Sequence, residues 1–67
     1  MRVYKMQIAT QSGGRLTRFL QAKTFIGAAK EADKVVKEEK QSGFWTPSER
    51  SALTLASLEH VGDLENA

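Results

Sequence analysis

Two alternating runs on either side of a glycine turn constrain this chain more than any other feature. "RVYKMQIAT" sets Tyr4, Met6 and Ile8 on one side and Lys5 and Gln7 on the other. That period of two is the pattern of a half-buried strand. "QSGG", Gln11 to Gly14, is hairpin-turn chemistry, and "RLTRFLQAK" supplies the second strand. A two-stranded ribbon is marginal in water. The rest of the chain must therefore cover the apolar face and add a strand.

Register decides what the hairpin shows to solvent, because a slip of one residue exchanges the two faces. A two-residue loop, Gly13-Gly14, would set Phe19 opposite Ile8 and leave Leu16, Leu20 and Ala22 outside. A three-residue loop, Ser12 to Gly14, sets Ala22, Leu20 and Arg18 opposite Tyr4, Met6 and Ile8. The second register hides more apolar area and gives a glycine the left-handed position such loops use. It predicts Arg18 at the rim of the core. It leaves Phe19 outside with Val3, Lys5, Arg15, Thr17 and Gln21.

Thr24 offers an N-cap, and Phe25, Ala28, Ala29, Ala32, Val35 and Val36 then recur at helical spacing. Lys30, Glu31, Asp33, Lys34, Lys37 and Glu38 fill the other face. Asp33 and Lys37 are ordered for an i,i+4 pair. The spacing predicts one helix near residues 24 to 42, stopped by Gly43. "TPSE", Thr46 to Glu49, fits a capping box with Pro47 at the first helical position. "SERSALTLASLEH" then reads either as a second helix or as a short turn followed by a strand. The need for a third strand favours a helical turn near Pro47 and a strand from Leu53 to Val61, ended by Gly62. The expected fold class is α+β with the order β-β-α-β, one helix packed on a three-stranded antiparallel sheet. The chain is expected to be a single small domain, residues 1–67, with a frayed tail at 63–67.

With 67 residues, such a domain buries only about 60% of its unfolded surface. There is no Cys, so neither a disulfide nor a thiolate metal site can add stability. The N-terminus lacks the apolar run of a signal peptide, and no segment approaches the length of a membrane span. A cytoplasmic protein is the expectation. His60 is the only histidine, no nucleophile is placed beside it by any motif, and Glu59 and Asp63 alone do not make a metal signature. "SGGR" matches no phosphate fingerprint and is explained by the turn. We expect no catalytic residues, no cofactor and no metal, so the protein is read as not an enzyme.

The net charge of +2 conceals a gradient. Arg2, Lys5, Arg15, Arg18 and Lys23 precede Ile26 with no acid among them, whereas Glu49, Glu59, Asp63 and Glu65 outweigh Arg50 at the back. Such a split steers an anionic partner toward one surface, although charges also simply face water. Two candidate surfaces follow. "GFWTPSER" holds the only Trp and the only Pro. Phe44, Trp45 and Arg50 form a candidate protein-binding loop, with Phe44 turned inward and Trp45 partly outward beside Arg50. The competing reading makes Trp45 a plug for the open end of the core. The outer hairpin face, with Lys5, Arg15, Phe19 and Lys23, mixes cations with one aromatic, which is the chemistry of nucleic-acid-binding sheets.

The basic hairpin, "AKTFIGAAKEADKVV" and a late "SLEHVGDL" together resemble small phage-encoded host-modulating proteins, the T7-type inhibitors of host RNA polymerase among them. The resemblance lies in the pattern and spans residues 2 to 62. It implies a three-stranded sheet carrying one helix, and a small protein that acts by binding something larger. The partner-contacting arginines of the late strand in that family have no counterpart here, since Leu53 to Gly62 contains no Arg. The expected partner is a larger protein, with nucleic acid as the alternative. The two sheet edges leave strand addition or a homodimer open.

Overall fold

The alternating runs form strands in the computed structural model, which describes residues 1–64. The elements are β1 (Arg2–Ala9), β2 (Arg15–Ala22), α1 (Phe25–Gln41), α2 (Pro47–Ala52) and β3 (Thr54–Asp63). The strands make one antiparallel sheet in the order β2-β1-β3. The fold is α+β with the expected β-β-α-β order, and α2 is the short helical turn expected near Pro47.

The hairpin keeps the predicted faces but not the predicted partners. Thr10 N–H donates to Gly14 O at 3.0 Å and Gly13 N–H to Thr10 O at 3.1 Å, so the three-residue loop is 11–13. Gly13 carries the left-handed φ of 88°, which only glycine adopts at no steric cost. The loop thus lies one residue earlier than expected, and every pair shifts by two: Tyr4 opposes Leu20, Met6 opposes Arg18 and Ile8 opposes Leu16. A shift of two preserves side-chain parity. Phe19 therefore stays outside, 66% exposed.

Tyr4, Met6 and Ile8 of the central strand are fully buried beneath Ala28, Ala32 and Val36 of α1, with Leu53 completing the core. The alanine stripe lets the helix axis approach the sheet. Thr24 caps α1 by accepting from Gly27 N–H at 3.1 Å, and Asp33 pairs with Lys37 at 3.1 Å. Phe25 fits the helical period but lies before the stripe meets the sheet. It stays 53% exposed, with its ring edge-on to Tyr4. The helix does not stop on a left-handed Gly43. Ser42 is the C-cap in an extended conformation, its N–H donating to Glu39 O.

Thr46 and Glu49 form the capping box that opens α2: Thr46 N–H donates to Glu49 Oε1 at 3.1 Å and Glu49 N–H to Thr46 Oγ1 at 3.2 Å. Leu53 caps α2 and drops into the core, so β3 starts one residue later than expected. It also runs past Gly62, because Asp63 pairs with Arg2 and Leu64 N–H reaches Met1 O at 2.8 Å. Of the tail expected to fray, residues 65–67 lie outside those described. β3 carries register shifts between Val3/Tyr4 and between Gln7/Ile8.

Leu53 and Leu55 compare burial at fixed chemistry. Leu53 is 0% exposed and Leu55 is 40% exposed. Leu53→Ala should cost roughly 2–5 kcal/mol, enough to unfold much of a domain this small. Leu55→Ala should cost less than about half of that. Urea denaturation of both variants checks this, and equal losses would contradict the placement of Leu53 in the core.

Candidate functional site: an aromatic corner and an open sheet face

The end of α1 and the start of α2 leave little chain to join them, and the aromatic pair lies in that join. Trp45 is half-buried and packs against the cluster of Met6, Ile8, Ala32, Val36 and Leu53. Its indole N–H donates to Glu39 Oε1 at 2.9 Å. A half-buried indole needs such a partner, and the last turn of α1 provides it. Phe44 is 79% exposed and stands edge-on to Trp45, with ring centroids 4.9 Å apart. The inward–outward split is therefore the reverse of the expected one. Phe44 points to solvent, and Trp45 closes the end of the core while supporting it.

Arg50 belongs to the same corner. Its Nη2 donates to Trp45 O at 3.3 Å, which ties α2 back onto the aromatic loop. Its Nε is shielded from solvent without a hydrogen-bond partner. Glu39 also faces Arg18 Nη2 at 3.7 Å, so one carboxylate links α1, β2 and the indole. The hairpin tip reaches the same region, since Gln11 Nε2 donates to Ser48 Oγ at 2.8 Å. Phe44, Trp45 and Arg50 are thus brought together on a braced support. The contribution of Glu39 was not legible in the sequence, because a contact from helix to loop around a chain reversal has no period.

The second candidate surface is the sheet face that no helix covers. Lys5 sits directly opposite Phe19 on one side and Glu59 on the other. Arg15 Nη1 donates to Gln7 Oε1 at 3.1 Å, and Ser57 Oγ contacts the same oxygen at 3.4 Å. Lys5, Arg15 and Phe19 therefore share one open face, with Lys23 exposed beyond the end of β2. Glu59 places an acid in the middle of this basic face, which the register of β3 alone reveals.

Of the two acids beside His60, Asp63 meets it and Glu59 does not. His60 opposes Tyr4 on the helix side, its ring 5.4 Å from the tyrosine ring and its Nε2 3.2 Å from Asp63 Oδ1. Glu59, its neighbour in an alternating strand, faces the other way. Among the described residues no group of three metal-ligating side chains occurs, no pocket is present, and no helix is long and apolar enough to cross a membrane. No protein-family model matches the chain, and neither a curated protein nor a solved structure matches it.

One titration reports directly on the corner. The Glu49 carboxyl is held below its ordinary value, first by the Thr46 backbone N–H and then by the Thr46 side chain. A depressed carboxyl pKa contributes stability above the unfolded value, and that stability is lost as pH falls through the folded value. NMR titration of the Thr46 amide should show a midpoint below about 4.5, and Glu49→Gln should abolish the transition. A midpoint at or above that value would mean that the capping box does not hold in solution.

Proposed function

We propose that this chain is a non-enzymatic protein-binding domain that docks on a larger protein through the corner of Phe44, Trp45 and Arg50. Its likeness in layout to phage-encoded host-modulating proteins supports a role as an accessory protein that modulates a larger host complex. The observation that carries the reading is Phe44. It is a large apolar side chain, 79% exposed, held in place by a neighbour that is itself anchored. A solvated loop has no use for such an arrangement. A partner gains from it, because an anchor ordered in advance loses little entropy on docking. Aromatic and arginine side chains on such supports dominate binding energies at protein interfaces.

Nucleic acid is the second reading, favoured by the placement of Lys5, Arg15 and Phe19 on one uncovered face. Single strands bind such faces by stacking bases on exposed rings and pairing phosphates with cations. The single exposed ring on that face and the acid of Glu59 make the surface weaker for this purpose than the corner is for protein.

Salt and one substitution separate the two. Immobilised protein is challenged with nuclease-treated lysate, then washed at rising salt. The expected result is a protein partner retained at high salt and lost with Phe44→Ala, whose thermal midpoint stays at the wild-type value. Trp45→Ala, by contrast, should lower stability by roughly 2 kcal/mol through lost burial and the lost bond to Glu39. Retention that disappears with nuclease or with Lys5→Glu and Arg15→Glu, while Phe44→Ala is silent, would replace the protein reading with the nucleic-acid one.

A further inference from the structure

β2 is the outer strand of the sheet, and its free edge has a definite chemistry. The Thr10–Gly14 bond makes that pair a hydrogen-bonded one, and such pairs alternate along an antiparallel ladder. Leu16, Arg18, Leu20 and Ala22 therefore bond to β1. Arg15, Thr17, Phe19 and Gln21 turn their backbone N–H and C=O groups outward, and all four are exposed. β2 pairs with β1 without a register shift, whereas β3, the other edge, is interrupted twice. Bulges and charges are the usual means of blunting an edge. β3 has the bulges, and β2 has only charges of one sign.

Those charges select the occupant. Arg15 and Arg18 lie on β2, Lys23 follows it, and no acid occurs before Glu31. A second copy gains nothing from these charges. Antiparallel β2–β2 pairing centred on Arg18 sets that arginine against its own counterpart, and pairing centred on Phe19 sets Arg15 against the counterpart of Lys23. Like charges directly opposite are destabilising. Registers centred on Thr17 or Leu20 avoid that clash but still leave both arginines without an acid opposite. An acidic strand sets carboxylates against them, and an apolar residue in it can lie against Phe19 on the open face.

We propose that the outer edge of β2 takes an extended acidic segment of a partner protein as a fourth, antiparallel strand. The segment carries an apolar residue opposite Phe19 and acids opposite Arg18 and Arg15. In sequence it reads as an apolar residue followed by acids one and four positions later. The inference rests on the reading of this chain as a protein-binding domain, and it adds a second contact whose specificity comes from backbone pairing and charge.

The test uses the full chain and a synthetic probe, the acetylated and amidated peptide TVETVET, titrated to roughly millimolar concentration because isolated strand pairing is weak. Amide shifts should move at Arg15, Thr17, Phe19 and Gln21. N-methylation of the probe at the residues set opposite Phe19 and Arg15 should abolish the effect. Replacing both glutamates by lysine should weaken binding about fivefold or more, Arg15→Glu should erase the preference between the two peptides, and Arg15→Glu combined with Arg18→Glu should reverse it. No shifts along β2, or equal affinity for the acidic and basic peptides, would overturn the proposal. So would a dimer of the protein alone, in sedimentation, that dissociates with Phe19→Glu. Phe44→Ala should bind the probe as wild type does. Loss of lysate capture in that variant alongside a silent probe would sink the strand proposal and leave the docking corner standing.

Discussion

The packing of one helix on one side of a central strand governs the rest of this structure. Tyr4, Met6 and Ile8 of β1 have no solvent exposure beyond 1%, and α1 reaches them because Ala28 and Ala32 keep the helix close. That contact uses the one long helix among the described residues. Among the described residues nothing forms a second layer over the opposite face or over either edge of the sheet. A chain of 67 residues has too little apolar material for two layers, so its stability rests on a thin core.

The same constraint leaves the ends of the core to be closed by a few large aromatic side chains. At one end, Tyr4 lies between the rings of Phe25 and His60. At the other, Trp45 packs on the cluster that includes Met6, Ile8 and Leu53, and Glu39 fixes its indole. Phe44 is what remains outside once Trp45 has taken the inner position. The aromatic corner, the open face with Phe19 and the free edge of β2 are thus three consequences of one packing arrangement. On the proposed reading, the edge would engage a protein partner by backbone pairing and the corner by an anchored ring.

Much of this was legible in the residues. Alternation in β1 and β2, the Thr24 cap and the alanine period determine the hairpin, the helix and the face on which each side chain lies. The loop position was not legible, because Ser12-Gly13-Gly14 offers two glycines for one left-handed site. The error of one residue did no harm to the faces, since it moved the pairing by two. Gly43 misled for the opposite reason: its composition suggests a cap, but Ser42 turns the chain in an extended conformation that needs no glycine. Phe44 and Trp45 could not be told apart, because the distinguishing partner, Glu39, lies across a reversal of the chain. Glu59 on the basic face was hidden for a similar reason, since pairing of β3 with β1 is a long-range contact.

Amide hydrogen exchange in the free protein tests the central claim most directly, because protection depends on which backbone groups the sheet engages. The arrangement predicts slow exchange at Arg18, Leu20 and Ala22, which bond to β1, and fast exchange at Thr17, Phe19 and Gln21, which face water. Residues of both parities in β1 should be slow, as expected of a central strand. Equal protection of odd and even residues in β2 would contradict the account, since it would require the outer edge to be covered already or the hairpin to pair in another register.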